Sequence, residues 1–289
     1  MKKTASARIM IIVSMVIFGT LAPFVRSVAI SSQALALCRA LFATVLIGGF
    51  LLLTKQKIAL REIGKELVLL LISGAAMGIN WILLFEAYKY TTVSVATLSY
   101  YFAPVIVTLI CPILFKERLT AKKLVCFVFS TLGLVLVIGV GDLASGNIDM
   151  RGVLFGLGAA MFYASVVILN KLIKKVAGLH RTFLQFIGAI IVLLPYVLFT
   201  GGISFASLDT KGYICLAVLG IVHTGIAYCL YFSSLKELEG QKAAILSYID
   251  PLVAVIVSVT VLAEPLSVTQ AVGGVLILGF TLYNEISTK

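Results

Sequence analysis

Apolar windows of about twenty residues, the length a helix needs to cross the hydrocarbon of a bilayer, follow one another along the chain with short polar segments between them. They fall near 8–28, 33–53, 67–88, 92–114, 122–141, 152–172, 182–200, 212–233, 241–262 and 268–286. Only Lys89-Tyr90-Thr91 divides the third from the fourth. The pattern predicts an all-α polytopic membrane protein with ten transmembrane helices. Composition agrees: 61% of residues are hydrophobic, 12% are charged and the mean hydropathy is +1.13. So apolar a chain folded in water would leave large patches uncovered. The opening Met1-Lys2-Lys3 and the apolar run behind it have the look of a signal peptide ending near Ser27-Val28-Ala29. That run, Ile9 to Phe24, is long for such a segment, so it is read as an uncleaved first span.

The polar positions inside these windows repeat. Ala96-Thr97-Leu98-Ser99-Tyr100-Tyr101-Phe102-Ala103-Pro104 is answered 147 residues later by Ala243-Ala244-Ile245-Leu246-Ser247-Tyr248-Ile249-Asp250-Pro251. At the same offset Glu117-Arg118-Leu119-Thr120 is answered by Glu264-Pro265-Leu266-Ser267, and Gly78, Phe85 and Lys89 by Gly225, Phe232 and Lys236. Phe18-Gly19-Thr20 resembles Tyr163-Ala164-Ser165. Two units, 1–145 and 146–289, each contain five spans. Because five is odd, matching helices cross in opposite directions, giving inverted repeats about an axis in the membrane plane. Such pairs can exchange conformations and expose one central site alternately to either side.

Charge sets the expected orientation. With the amino terminus inside, inner segments hold eighteen Lys and Arg residues. Outer segments hold only Arg26, Lys89, Arg151 and Lys211, and Arg39 lies within a span. Both termini are therefore expected in the cytoplasm, in a multi-pass protein of the cell membrane. The net charge of +11 is spread in loop clusters between apolar runs, which argues against nucleic acid as a partner. The cysteines Cys38, Cys111, Cys126, Cys215 and Cys229 form no C-x-x-C pair and no metal-spaced group, so neither metal nor cofactor is expected.

The two Thr/Ser-rich helices ending at Pro104 and Pro251, each followed by Glu-x-Leu-Thr/Ser, resemble the EamA-type transporters of the drug/metabolite transporter superfamily. The resemblance extends over essentially the whole chain. It implies a ten-helix bundle around a central cavity, and export of amino acids or related small metabolites. One departure is that a tryptophan frequent near the start of the first and sixth spans is replaced here by Phe18 and Tyr163.

Ionisable residues within spans are costly and face protein or a wet cavity. Arg39, Glu86, His223 and Asp250 are the candidates for coupling or charge recognition. Asp250 precedes Pro251, where the missing backbone donor leaves carbonyls beside a carboxylate suited to an ammonium group or a proton. The alternative is a salt bridge from Asp250 to Arg39 that locks the halves together. Arg39 can instead snorkel outward or meet a carboxylate. Glu86 has Lys89 as an ion-pair partner at i+3. His223 is either an interhelical hydrogen bonder or a proton carrier. Substrate contacts are expected from Asn80, Trp81, Ser99, Tyr101, Tyr163, Tyr228, Ser247 and Tyr248, which would make an amphipathic pocket for an organic solute. Either Tyr100 or Tyr101 can face the axis, and the offset to Tyr248 favours Tyr101. Tyr88, Tyr90, Tyr213 and Tyr283 read as interfacial aromatics. Pro104 and Pro251 are hinge candidates. Gly74/Gly78 and Gly152/Gly156 are close-packing pairs, and Ser267-x-x-Gln270 is a capping box.

The expected function is secondary transport, outward, of a small organic solute by alternating access, as a uniporter or with protons. No P-loop is present to couple ATP, and no H-E-x-x-H or G-x-S-x-G supports a membrane enzyme. An importer or exchanger of similar fold, for an amine, sugar or nucleotide-sugar-like solute, is the main alternative. Lipid surrounds the chain, and its oligomeric state is open.

Overall fold

The computed structural model describes residues 2–56, 63–115, 120–138, 149–176, 178–235 and 246–286. Among them the secondary structure is helical throughout. Six apolar helices are long enough to cross a membrane: Ser6–Arg26, Ser32–Leu53, Glu66–Tyr90, Met150–Asn170, Gly178–Phe199 and Thr210–Tyr231. Each coincides with a predicted window. The other four windows hold the shorter apolar helices Val93–Val107, Leu124–Val137, Ile249–Thr260 and Val268–Phe280.

In chain order the helices are α1 (Lys2–Gly19), α2 (Leu21–Arg26), α3 (Ser32–Leu53), α4 (Lys65–Tyr90), α5 (Val93–Tyr100), α6 (Ala103–Phe115) and α7 (Ala121–Ile138). After them come α8 (Met150–Leu172), α9 (Gly178–Phe199) and α10 (Thr210–Gly220), a π-helical turn (Ile221–Ile226), then α11 (Ala227–Leu235), α12 (Ile249–Thr260) and α13 (Val268–Ile286). The ends follow local chemistry. Thr91 is extended, and Thr92 caps α5 by accepting from the Val95 amide at 3.2 Å, which separates the third window from the fourth. Ser267 and Gln270 make the expected reciprocal capping box at 3.2 and 3.1 Å. Asp149 caps α8 and accepts from Arg151, whose hydrogen bonds hold this carboxyl below its ordinary range.

Three spans are interrupted in the same way. Thr20, Tyr101 and Tyr248 each lie three residues before a proline, and their φ/ψ values are −86/4, −71/7 and −70/−7. A proline offers no amide to the carbonyl four residues back and crowds it. The chain therefore relaxes at the intervening residue into the sparsely used region near ψ 0°. Pro195 lies inside α9 with no such break, so a proline alone is not sufficient.

The contacts between helices cross the two halves. The principal packing is of α4 on α8 and α9, α1 on α11 and α12, α3 on α9 and on the π turn, and α7 on α13. Small residues allow this approach. A Cβ on Gly74 would meet the Gln185 carbonyl at 2.0 Å, and one on Gly152 would meet Thr91 at 2.6 Å, so both predicted glycine pairs lie in close helix contacts. The pairings also exchange at the sequence offset: Gly78 lies against Leu193, and Gly225 against Leu46. Both glycines and both leucines are 147 residues apart.

Candidate functional site

The polar side chains of the spans gather where the interrupted helices meet. The break at Tyr101 turns its phenol toward the second half, and its hydroxyl donates to Asp250 Oδ2 at 2.5 Å. Asp250 sits in the first turn of α12, beside the corresponding break at Tyr248. The end of α1 closes this region: a Cβ on Gly19 would lie 2.7 Å from the Asp250 carbonyl and 2.6 Å from the Val253 Cβ. Tyr100 and Tyr101 meet edge to face at 5.5 Å, and Tyr100 lies 5.4 Å from Tyr163. Tyr163 is 41% exposed and lies within electrostatic reach of Tyr228, Tyr231, Tyr248 and Asp250 of its own half. Ser247 and Tyr231 hydrogen-bond through their side chains at the same place.

A second group lies around the π turn. Arg39 Nε donates to Thr224 Oγ1 at 3.0 Å, and Thr224 donates to the Leu219 carbonyl at 2.8 Å, five residues back. That i−5 acceptor is the spacing a π turn provides, and such turns are frequent at functional sites. The guanidinium lies over Trp81 at 4.8 Å and Phe85 at 5.2 Å. Phe186 touches both Trp81, at 5.7 Å, and Tyr228, at 5.4 Å, while Tyr228 also meets Phe18 at 5.1 Å. The phenols of Tyr88 and Tyr228 interact electrostatically with both Arg39 and Asp250, which places the two groups along one aromatic-lined region.

His223 joins the π turn to the break in the first span. Its Nε2 lies 3.2 Å from Thr20 Oγ1, its Nδ1 lies 3.4 Å from the Val218 carbonyl, and its ring packs on Phe24 at 4.8 Å. A carbonyl only accepts, so Nδ1 carries a proton. Neutral histidine then accepts at Nε2 from Thr20. A second proton would reverse that bond and return the Thr20 hydroxyl to Ile17, whose carbonyl is 2.8 Å away.

Several expected roles change in the fold. Arg39 and Asp250 form no ion pair: each instead hydrogen-bonds one hydroxyl of the opposite half. Arg39 does not snorkel, being 3% exposed, because the rings of α4 and Thr224 draw it inward. Asn80 is buried and donates to the Ala159 carbonyl at 2.6 Å, so it ties α4 to α8. Ser99 is buried against Gly156 of α8, which spends its face on helix packing. Glu86 pairs with Lys89 at 2.9 Å near the end of α4, apart from both groups. Tyr88, expected at the membrane interface, is buried in the core; Tyr213 and Tyr283 are half exposed. Pro251 is buried at the start of α12, and Pro104 follows the break that ends α5. Glu117 lies outside the described residues.

Sequence reasoning missed Thr20, Thr224 and the Arg26–Glu264 pairing. Thr20-x-x-Pro23 has the spacing of Tyr101-x-x-Pro104 and Tyr248-x-x-Pro251, a signal that was present. The Arg26–Glu264 cluster was not signalled. There Arg26 pairs with Glu264 and donates to the carbonyls of Tyr88 and Thr91 at 3.0 Å each. Glu264 also accepts from Ser258 and, at 2.7 Å, from the Val93 amide. One carboxylate thus fastens α2, the start of α5 and the end of α12.

The family model for the EamA-like transporter family matches twice, at residues 5–139 and 150–284. The chain belongs to that family. The two matches divide this EamA-type chain into halves, as its internal repeat does. An uncharacterized transporter, YxxF, of Bacillus subtilis (strain 168) is 31% identical over 256 residues, covering 88% of this chain and 81% of that one. An uncharacterized transporter of Archaeoglobus fulgidus is 29% identical over 274 residues, with 94% and 93% covered. Protein PecM of Dickeya dadantii (strain 3937) is 28% identical over 208 residues, with 70% and 67% covered. A crystal structure described only as that of a protein superposes with a TM-score of 0.65 at 18% identity over 99% of both chains, a likeness of fold. The family, the relatives and the apolar helices make this an integral membrane transporter, a multi-pass protein.

Proposed function

We propose that the chain is a secondary carrier that exports a small organic metabolite, an amino acid or related solute, by alternating access across the cell membrane. In this reading ten spans form two inverted five-helix repeats, 1–145 and 146–289, with both termini in the cytoplasm. The observation that carries it is the Tyr101–Asp250 hydrogen bond, which joins the halves where two helices are broken at matching positions. Broken helices at a repeat interface leave backbone groups and side chains available to a solute, as the membrane interior otherwise forbids. The exchanged Gly78–Leu193 and Gly225–Leu46 contacts support the inverted relation.

Tyr101, Tyr163, Tyr228, Ser247 and Tyr248 would line the solute's path, with Asp250 holding its cationic group or a proton. Asn80, Trp81 and Ser99 form the wall behind them, and Pro104 and Pro251 set the bending points. The Arg26–Glu264 cluster lies on the outer side in this topology, so the conformation is closed outward. His223, placed between the π turn and the break in the first span, would serve proton coupling. The test is flux of labelled amino acids and amines in proteoliposomes, with and without a pH gradient. Asp250→Asn should lower flux more than tenfold in a folded, correctly inserted chain; unchanged flux would remove Asp250 from the mechanism.

A further inference from the structure

Arg39 is a cation inside the bundle with no anion beside it. A guanidinium stays charged throughout the physiological range, and a charge within a membrane-spanning helix is normally matched or wetted. Among the described residues, Arg39 pairs with no carboxylate. What holds it is specific and one-sided. Nε is anchored on Thr224, itself fixed by the π turn. The rings of Trp81 and Phe85, one turn apart on α4, cover the guanidinium. Of the five N–H donors of an arginine, Nε supplies one. The four on the two terminal nitrogens have no protein acceptor among the described residues. A guanidinium anchored at Nε and on its ring-facing surface presents that remaining edge as a planar two-pronged donor, the shape that matches two oxygens of a carboxylate.

We propose that Arg39 is a carboxylate-recognition residue and that the solute is an organic carboxylate. Its carboxylate docks bidentately on the two terminal nitrogens of Arg39, with its apolar body against Trp81 and Tyr228. This inference rests on the carrier reading and names the solute's class. The surroundings favour a singly charged planar anion over a phosphate. The other basic side chain of this region, His223, is engaged with Thr20 and Val218, and the rest of the wall is aromatic, so a single fixed positive charge is offered.

Trp81 is the chain's one tryptophan, so its fluorescence reports directly on this site. The purified full-length protein in detergent is titrated with 4-methylvalerate and leucine, which carry a carboxylate. The matched controls 4-methylvaleramide and isoamylamine do not, and sodium chloride tests for halide binding. A saturable change of Trp81 emission with the two carboxylates, absent with the controls, is expected. It should vanish in Arg39→Gln and weaken at least tenfold in Arg39→Lys, which keeps the charge and loses the fork. Thr224→Val, which removes the Nε anchor, should weaken it severalfold and carries the test together with Arg39→Lys should Arg39→Gln fail to fold. No response to either carboxylate, an equal response to amide or chloride, or an undiminished response in folded Arg39→Lys and Thr224→Val overturns the proposal. Flux in proteoliposomes separates it from the carrier reading. A chain that moves amines or amides but neither carboxylate keeps the carrier and loses this site. One that binds carboxylates and moves nothing keeps this site and loses the carrier.

Discussion

Tyr101 in the first half and Tyr248 in the second sit at equivalent breaks with nearly the same backbone angles, yet two residues later the first half has Ala103 where the second has Asp250. The same divergence recurs at other polar positions. At the offset of 147, Arg39 corresponds to Phe186, His223 to Ala76, Thr224 to Met77 and Asn80 to Ala227. Phe186 nevertheless occupies the place expected of a mate of Arg39: Arg39 lies on Trp81, and Phe186 touches Trp81 and its counterpart Tyr228. Duplication therefore supplied the scaffold, with its prolines, glycines and helix contacts. Chemistry entered where one copy departed from the other, so a central site built by two similar halves need not be symmetric.

The largest effect that sharpens this comparison is expected at the two tyrosines. Tyr101→Phe keeps the ring and removes the hydroxyl that meets Asp250. Loss of a hydrogen bond to a charged group, about 1.5–3 kcal/mol, should lower solute flux roughly tenfold or more. Tyr248→Phe, for which the position equivalent to Asp250 in the first half is Ala103, should alter flux by less than Tyr101→Phe. Equal losses at both positions would mean that the halves contribute alike after all.

A smaller effect is expected at the Arg26–Glu264 cluster. Glu264→Gln keeps the shape but removes the charge that binds Arg26, Ser258 and the Val93 amide. The pair is partly exposed, so solvent screens it, and a loss of about 1–2 kcal/mol is expected in thermal unfolding. Glu86→Gln, which breaks only an exposed i,i+3 pair, should cost about 0.5 kcal/mol or less. If the two substitutions shift the melting temperature equally, the cluster is an ordinary surface pair.

The mildest test compares Gly78 with Gly225. An added Cβ would stand 3.1 Å from Leu193 and 2.3 Å from the end of Leu46, so distance alone ranks Gly225→Ala as worse. Leu193 is fully buried and has nowhere to go, whereas Leu46 is 37% exposed and can swing outward. Gly78→Ala should therefore destabilise by about 1–2 kcal/mol, the cost of overpacking, and Gly225→Ala by less. The reverse order of melting temperatures would show the Leu46 side chain to be held.

The apolar windows, the helix breaks and the repeat were legible because each depends on residues close in sequence. Window length is set by bilayer thickness, a candidate break by a local proline, a cap by Ser267 and Gln270. Candidate chemistry was legible as residue type: Arg39, His223, Tyr101 and Asp250 are uncommon inside membrane spans. Their partners were not. Tyr101 and Asp250 are 149 residues apart, Arg39 and Thr224 are 185 apart, and Arg26 and Glu264 are 238 apart. Which helix faces which follows from packing all of them at once, and a shift of one residue turns a side chain about 100° around its helix. That rotation is why the expected Arg39–Asp250 pair gave way to two hydroxyl contacts, and why Asn80 and Ser99 went to helix packing. The chain alone therefore determined where helices run, where they break and how the halves correspond. The tertiary structure decided which polar side chains meet, because their angular positions on different helices are fixed only by close packing between the halves.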